Sequence, residues 1–326
     1  MKVAINGFGR IGRIVFKLCL EAGINVVAIN DLTSTDVLSY LLKYDSVYGH
    51  YNKRVEAGNG FISVGGKKYD VFAEKDPSRL PWKKLGVDIV VESTGFFTDR
   101  EGAGKHLKAG AKKVVITAPA KNPDITILPG VNNKELKKTD KIISVASCTT
   151  NALLPVIKVL DDNFGVEKGF MNTAHAYTAT QGLVDGPNKS LRRGRAAAQN
   201  IIPSTSGATE AVGDVLPKMK GKMNGLSLRV PVLDGSIVDF VAILKKSASV
   251  EQINSAFKKA SEKELKGIMR FNEDEIVSSD IIGDKHSSIV DGTLTQSMGN
   301  FVRVLAWYDN EYGYTNRVID VLKMLR

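Results

Sequence analysis

A glycine-rich turn near the start of the chain constrains its fold more than any other feature. Residues 2–6 (KVAIN) form a short apolar run typical of a strand, and Gly7, Gly9 and Gly12 follow in the spacing GxGxxG. Apolar residues then recur at helical spacing, and a second apolar run covers residues 24–29. This order of strand, glycine turn, helix and strand predicts a β-α-β unit with two parallel strands.

Each glycine has a different expected role. Gly7 permits the tight turn, Gly9 lets the backbone approach a pyrophosphate, and Gly12 allows the helix to pack close to the strand. The amides at the helix start, near Arg10 and Ile11, would then face the phosphates. The pattern favours a dinucleotide site, and a turn that binds another nucleotide or none is the alternative.

An acidic residue at the end of the second apolar run refines this hypothesis. Asp31 lies 19 residues after Gly12, close to the spacing of the acid that hydrogen-bonds the ribose hydroxyls. Its carboxylate would repel a 2′-phosphate. We therefore expect the cofactor to be NAD rather than NADP.

The rest of the sequence predicts two domains that differ in how their strands and helices are arranged. Strand-like runs at 87–92, 113–117 and 141–146, with a helix at 99–109, extend a doubly wound parallel sheet. A long helix at 149–163 then leads into strands and helices in antiparallel style. We predict an α/β chain with an NAD-binding Rossmann domain at 1–148 and an α+β catalytic domain with a mainly antiparallel sheet at 149–310. Further predicted elements are strands at 170–177, 226–232, 236–244 and 301–308, helices at 208–216 and 250–261, an irregular segment at 180–206, and a C-terminal helix at 311–326 that packs back on the first domain.

The formal charge of +10 raises the question of a nucleic-acid partner. Residues 1–147 carry 23 Lys/Arg against 15 Asp/Glu, a net charge of +8, and the rest carries only +2. The lysines are scattered in pairs without interleaved aromatic residues, which favours a solvated surface that attracts anionic ligands. An RNA-binding module built on a nucleotide fold stays open as an alternative.

Three features of the sequence bear on the cellular compartment of the protein. It has no uninterrupted apolar run long enough to span a membrane and does not open with a secretory signal pattern. Two cysteines, Cys19 and Cys148, are too few for a disulfide framework. We expect a cytoplasmic enzyme.

Cys148 is the candidate nucleophile because it lies where a predicted strand ends and a long helix begins. The positive end of a helix favours an anion and can lower the pKa of a thiol. His175, one of four histidines, falls within a strand-like run of small residues and is the natural base for this thiol. The alternatives are a buried structural cysteine and a hydrogen-bonded core histidine. Cys19, on the apolar face of the first helix, is expected to be inert.

Six segments together resemble the phosphorylating glyceraldehyde-3-phosphate dehydrogenases over essentially the whole chain. They are NGFGRIG at 6–12, YDSV at 44–47, ESTG at 92–95, ASCTTN at 146–151, RVP at 229–231 and WYDNE at 307–311. The resemblance implies oxidation of glyceraldehyde 3-phosphate to 1,3-bisphosphoglycerate, with NAD reduction and a thioester on Cys148. It also implies a homotetramer in which residues 180–206 pack between subunits.

The resemblance also implies roles for individual residues. Thr178 and Arg229 would hold the phosphate of the substrate, and Asn310 would hold the nicotinamide carboxamide. The site for inorganic phosphate would comprise Ser147, Thr149, Arg193, Ser206 and Gly207, and further cofactor contacts would come from Arg10, Ile11, Asp31, Lys75 and Thr117. We expect no metal ion. Lys75 stands where the family commonly has Arg, and Thr180 where it often has Asp or Ala.

Two related enzymes are the nearest alternatives, erythrose-4-phosphate dehydrogenase and aspartate-semialdehyde dehydrogenase. The spacing of Cys148 from His175 and the WYDNE segment argue against the second.

Overall fold

The predicted glycine turn joins strand β1 (Lys2–Asn6) to helix α1 (Arg10–Glu21) in a computed structural model of the chain. Residues 1–326 are described, apart from the side chain of Glu210. They divide into two compact units, the first comprising residues 1–127, 134–146 and 315–326, and the second comprising residues 128–133 and 147–314.

The first unit is built on a nine-stranded sheet. Its helices are α1, α2 (Thr35–Lys43), α3 (Trp82–Leu85) and α4 (Arg100–Lys108). Its strands, with the small pair β3 and β4 outside the main sheet, are β1, β2 (Asn25–Asn30), β3 (Tyr44–Asp45), β4 (Gly49–His50), β5 (Val55–Gly58), β6 (Phe61–Val64), β7 (Lys67–Phe72), β8 (Ile89–Glu92), β9 (Lys113–Ile116), β10 (Ile125–Thr126) and β11 (Ile142–Ser144).

The strand order of this sheet is β10-β11-β9-β8-β1-β2-β7-β6-β5. All neighbours from β10 to β7 are parallel, and β6 and β5 add an antiparallel edge. The central strands carry runs such as IVVE and KVVI, whose apolar side chains are buried on both faces, as a parallel sheet covered by helices requires. The carboxyl ends of β7, β2, β1 and β8 therefore lie side by side at one edge.

The second unit contains an eight-stranded mixed sheet. Its helices are α5 (Cys148–Phe164), α6 (Ala208–Val215) and α7 (Val250–Glu262). Its strands are β12 (Val166–Ala176), β13 (Ile202–Ser204), β14 (Met223–Val230), β15 (Ser236–Leu244), β16 (Met269–Asn272), β17 (Ser288–Asp291), β18 (Gln296–Met298) and β19 (Phe301–Tyr308). The last helix of the chain is α8 (Tyr312–Met324), which begins in the second unit and ends in the first.

The strand order of the second sheet is β13-β14-β12-β15-β19-β17-β16, and β18 pairs with β19. Most neighbours are antiparallel, while β12 with β14 and β16 with β17 are parallel. The predicted fold class is confirmed. The boundary between the units falls two residues earlier than the predicted end of the first domain, so Cys148 belongs to the second unit.

Candidate active site

Cys148 is the first residue of α5, held there by a helix cap. The side chain of Ser147, the N-cap residue, accepts a hydrogen bond from the backbone N–H of Thr150 at 3.1 Å. Ala146, just before the cap, has φ of +54°, a left-handed conformation that costs free energy for a residue with a side chain. The sharp turn places the half-buried thiol at the helix start.

His175 contacts this thiol from the neighbouring strand β12. Its Nε2 lies 3.3 Å from the Cys148 sulfur, and the residue is only 3% exposed. Strand register places Arg229 of β14 directly beside His175. The predicted nucleophile and base are therefore in hydrogen-bond contact.

The opposite ring nitrogen determines which tautomer His175 adopts. Nδ1 lies 2.6 Å from the Ala176 carbonyl oxygen and 2.8 Å from an Arg229 nitrogen, and this same nitrogen donates to the Ala176 carbonyl at 3.1 Å. The shortest of these contacts is favourable only when Nδ1–H donates to the carbonyl. Nε2 then presents a lone pair to the thiol, as a general base requires.

Burial and charge set the protonation of both groups. Burial lowers the pKa of His175 to about 3, and the nearby Arg229 charge acts in the same direction. Burial raises the pKa of the Cys148 thiol, while the Arg229 charge and hydrogen bonds from Thr149 lower it. The expectation of a lowered thiol pKa at the helix start is therefore wrong for the free chain, because desolvation outweighs the favourable charges. In this geometry the thiol can donate its proton to the lone pair of Nε2.

Tyr308 organises the floor of the site and was not among the predicted residues. Its hydroxyl lies 2.9 Å from the Thr149 hydroxyl and 2.9 Å from that of Thr173. Its ring packs edge-on against His175, with centroids 5.9 Å apart. The WYDNE segment marked this region, but nothing in the sequence distinguished Tyr308 from an ordinary core tyrosine.

Two arginines and a pair of threonines add positive charge and hydroxyl groups to the same unit. The Thr178 and Thr180 hydroxyls are 2.9 Å apart, and Arg193 reaches Thr180 at 3.5 Å while its Nε donates to Ser204 at 2.8 Å. The Arg193 charge lowers the pKa of both His175 and Arg229. Two guanidinium groups whose charges both act on the His175 imidazole suit the binding of an anion.

The other residues predicted to bind inorganic phosphate lie at helix starts. Gly207 is the N-cap of α6, and the Ser206 hydroxyl accepts a hydrogen bond from the Ala208 amide at 3.3 Å. Ser147 caps α5, and the Thr149 side chain is buried against Tyr308.

Asn310 is joined to the catalytic strand through a serine. Its Oδ1 accepts a hydrogen bond from the Ser236 hydroxyl at 2.6 Å, and this hydroxyl accepts one from the Ala176 amide at 3.1 Å. The amide plane of Asn310 is thereby fixed relative to the residue that follows His175.

A cavity of about 570 Å³ lies in the first unit, at the carboxyl ends of the parallel strands. Its lining includes Gly7, Gly9, Asp31 and Lys75 of the predicted cofactor set and does not include Arg10, Ile11, Gly12, Thr117 or Asn310. Its lining also includes residues that sequence reasoning missed: Asn6, Asn30, Leu32, Glu74, Ser93, Thr94, Phe96 and Phe97.

The glycines of the turn fit a pyrophosphate at this cavity. Gly7 has φ of +91°, and a Cβ there would lie 2.6 Å from the Thr94 nitrogen. A Cβ at Gly12 would lie 2.0 Å from the Gly7 carbonyl oxygen, whereas one at Gly9 would meet only open space. The backbone at Gly9 is thus open to a ligand.

Polar side chains complete the cofactor fit. The Asp31 carboxylate accepts hydrogen bonds from the Phe8 and Thr33 amides at 2.7 and 2.9 Å, and its remaining lone pairs can accept ribose hydroxyls. Arg10 instead bonds Asp45 at 2.8 Å, and the Thr117 hydroxyl donates to the Glu92 carbonyl at 3.2 Å. The volume and donor set suit a dinucleotide.

Known proteins match both units. Residues 1–100 match the family model described as the glyceraldehyde 3-phosphate dehydrogenase NAD binding domain, and residues 147–310 match that of the C-terminal domain. The chain belongs to the glyceraldehyde-3-phosphate dehydrogenase family. Glyceraldehyde-3-phosphate dehydrogenase from Borreliella burgdorferi is 55% identical across 100% of this chain and 99% of its own length. The enzymes of that name from Thermotoga maritima and Geobacillus stearothermophilus are 54% and 53% identical, over 99% and 98% of this chain and 98% and 97% of their own lengths.

The described residues contain no helix long and apolar enough to cross a membrane. Among the same residues, no group of three or more His, Cys, Asp or Glu is placed to hold a metal ion.

Proposed function

We propose that this chain oxidises glyceraldehyde 3-phosphate to 1,3-bisphosphoglycerate, with inorganic phosphate as the acyl acceptor and NAD as the oxidant. The observation that carries the proposal is the 3.3 Å contact between the Cys148 sulfur and His175 Nε2 beside two arginines, in a chain of this family. Family membership makes the chain an NAD-dependent oxidoreductase of glycolysis.

The first step forms a bond between sulfur and carbon. The Cys148 sulfur attacks the aldehyde carbon while its proton passes to His175 Nε2 and on to the aldehyde oxygen, which gives a thiohemiacetal. Because Nε2 presents its lone pair to the thiol, it can accept this proton directly. The helix start of α5 and the His175 ring stabilise charge on the oxygen.

The second step oxidises this adduct. His175 Nε2 takes the hydroxyl proton as hydride leaves the same carbon, and the product is a thioester on Cys148. Bound NAD supplies the hydride acceptor, and Gly7, Gly9, Asp31 and Lys75 would hold it. Asn310, fixed by Ser236, would orient the nicotinamide carboxamide.

The third step releases the product. A phosphate oxygen attacks the thioester carbon, the bond to sulfur breaks, and His175 Nε2 returns the proton it took in the second step to the leaving thiolate as the acyl phosphate departs. Thr178 and Arg229 would hold the substrate phosphate, and Arg193 with Ser147, Thr149, Ser206 and Gly207 would hold the attacking phosphate. Thr180, which contacts both Thr178 and Arg193, would join the two groups.

The test is NADH formation from glyceraldehyde 3-phosphate with and without inorganic phosphate, by the parent chain and by Cys148→Ser. We expect rapid phosphate-dependent turnover in the parent and a loss of at least about a thousandfold in the variant, because a neutral hydroxyl is a far weaker nucleophile than a thiol. Cys19→Ser, at a buried thiol in helix α1, is the matched control and should keep full turnover. Equal turnover by Cys148→Ser would contradict the mechanism.

The alternatives from sequence are not favoured. The matched families and relatives carry the name glyceraldehyde-3-phosphate dehydrogenase over both units. Assays of erythrose 4-phosphate and aspartate semialdehyde beside glyceraldehyde 3-phosphate would rank the three substrates. A gel shift with RNA at physiological salt would test the RNA-binding hypothesis.

We also propose a cytoplasmic homotetramer. The two cysteines are free thiols, as a reducing compartment allows. The outward face of the second sheet carries exposed apolar side chains at Phe170, Leu226 and Phe301, with 68%, 45% and 43% of their surfaces exposed. An apolar sheet face of this kind is typical of a subunit interface.

A further inference from the structure

A chain of five buried polar side chains crosses the floor of the cavity in the first unit, and none of them takes part in the chemistry proposed above. Each is 5% exposed or less. They are Trp82 of α3, His106 of α4, and Glu92, Asn6 and Asn30 at the ends of β8, β1 and β2.

Donor chemistry fixes where the proton of His106 lies. The Trp82 indole can only donate, and its Nε1 lies 3.0 Å from His106 Nδ1. Nδ1 must therefore accept, so the proton of the neutral ring is on Nε2. That nitrogen lies 3.0 Å from Glu92 Oε2 and donates to it.

Glu92 is surrounded by donors on both of its oxygens. Oε2 accepts from His106 and from Asn6 Nδ2 at 2.6 Å. Oε1 accepts from the Thr94 amide at 2.8 Å and from the Thr94 hydroxyl. Four donors leave no place for an acid proton, so the group acts as a carboxylate that accepts only.

The same chain continues to the other side of the cavity. Asn6 Oδ1 accepts from Asn30 Nδ2 at 2.7 Å. Asn30 in turn donates to the Glu74 carbonyl at 3.0 Å and accepts from the Glu74 amide at 2.9 Å. Since β8, β1, β2 and β7 are consecutive in the sheet, the chain links the segment after β7 with the segment after β8.

Both linked segments line the cavity. Glu74 and Lys75 follow β7, while Thr94, Phe96 and Phe97 follow β8. The Thr94 hydroxyl, held by Glu92, also accepts from the Phe96 amide at 3.0 Å. The conformation of this second segment therefore depends on the Glu92 carboxylate.

We propose that Glu92 and His106 are positioning residues for the cofactor: the chain from Trp82 to Asn30 sets the spacing and shape of the two cavity segments before NAD binds. This inference rests on the assignment of the cavity to NAD. Preorganised contacts of this kind raise affinity because the ligand does not have to order them.

The first test is Glu92→Gln, which keeps the size of the side chain. Whichever way the amide is turned, its NH₂ group meets a donor, either the Thr94 amide or the Asn6 and His106 nitrogens. We expect the Kd for NAD, measured by titration calorimetry, to rise about tenfold or more. At saturating NAD, kcat should stay within about twofold. Glu101→Gln, the same change at an exposed position of α4, is the matched control and should leave Kd unchanged.

The second test uses the tautomer of His106. Trp82→Phe removes the donor that holds the proton on Nε2, and alone should raise the Kd for NAD about threefold because the ring loses one fixed partner. In the double variant with Glu92→Gln, His106 can move its proton to Nδ1 and accept from the new amide, so that of the two donors on this side only Asn6 Nδ2 still opposes the amide NH₂ group. The double variant should therefore bind NAD more tightly than Glu92→Gln alone. If the two substitutions only loosened the core, the double variant would instead bind NAD more weakly than either single variant.

The outcomes separate this inference from the cavity assignment. If Asp31→Ala binds NAD as tightly as the parent, the assignment of the cavity fails. If Asp31→Ala weakens binding while Glu92→Gln stays within about twofold of the parent, or if the double variant binds no better than Glu92→Gln, the positioning role is wrong. If urea unfolding shows that Glu92→Gln does not fold, the Trp82→Phe variant tests the positioning role instead. A threefold higher Kd for NAD supports the role, and an unchanged Kd overturns it.

Discussion

Burial makes His175 the residue through which acid should weaken the second unit. Its imidazole has a pKa of about 3 in the folded chain against 6.5 in the unfolded chain. Between these values the unfolded state binds more protons, so stability is complete above pH 6.5 and falls as the pH drops toward 3. Lowering the pH from 7 to 5 should cost about 2 kcal/mol through this group alone.

The measurement is the free energy of urea unfolding at pH 7 and pH 5, for the parent chain and for His175→Asn. Asparagine carries no titrating group, so the variant should lose about 2 kcal/mol less than the parent over this interval. Parallel pH dependence in the two proteins would show that the His175 imidazole is not held neutral by burial.

Arg229 influences the nucleophile by charge as well as by contact. Burial raises the pKa of Cys148, and several groups oppose this by lowering it. Among those groups the Arg229 guanidinium has the largest effect. Arg229→Leu should therefore raise the apparent pKa of the thiol further. The pH dependence of Cys148 alkylation by iodoacetamide reports this pKa, since the thiolate is the reacting form.

A matched control separates this local effect from a loss of net charge. Arg54→Leu removes an exposed guanidinium of the first unit, paired with Glu56, and should leave the alkylation profile of Cys148 in place. A profile unchanged by Arg229→Leu would mean that the Arg229 charge is too well screened to act on the sulfur.

At the scale of elements, two helix caps of similar chemistry should have different consequences. Ser147 caps α5, and Ser249 caps α7 in a capping box with Gln252. Replacing either serine with alanine should lower the free energy of unfolding by about 1 kcal/mol. Only Ser147→Ala should also raise KM for inorganic phosphate, because that hydroxyl is proposed to bind it.

Steady-state kinetics together with urea unfolding would check this contrast. A similar rise in KM for phosphate with Ser249→Ala would assign the effect to general loosening of the unit. An unchanged KM with Ser147→Ala would remove Ser147 from the phosphate site.

Long elements with clear periodicity were predictable from sequence, and short ones were not. The apolar stripe at 149–163 corresponds to α5, and the central parallel strands follow from runs such as IVVE. The antiparallel edge β5 and β6 was missed because its strands have four residues each and form only by pairing, β6 with β7 and β5 with β6. Helix α2 was also missed, since its exposed apolar positions blur the periodic signal.

The site divides along the same line. Cys148 and His175 could be predicted because each is a chemically distinctive residue in a recognisable context. Cys148 lies at the start of a predicted helix, and His175 lies within a strand-like run of small residues. Tyr308 and Thr180 could not, since their roles come from distances across strands and loops. The raised pKa of Cys148 was missed for a physical reason, because sequence reveals the helix start but not the desolvation that opposes it.

At the scale of the whole molecule, we expect the exposed apolar face of the second sheet to form a subunit interface of the proposed tetramer. Phe170 is opposite Val241, and Ile243 is opposite Phe301, so strand register gathers these side chains into one apolar surface. A cavity of about 500 Å³ lies along it. Burial of such a surface against a second copy would contribute roughly 25 cal/mol for each Å² removed from water.

Phe170→Asp should therefore break the proposed tetramer, since a charge would be buried without a partner in the interface. Light scattering coupled to size exclusion should give the mass of four chains for the parent and a smaller assembly for the variant. Val277→Asp, at an exposed apolar position outside this face, should leave the parent mass unchanged. A tetramer that survives Phe170→Asp at micromolar concentration would mean that the subunits associate through another surface, and the apolar face of the second sheet would then need a different partner.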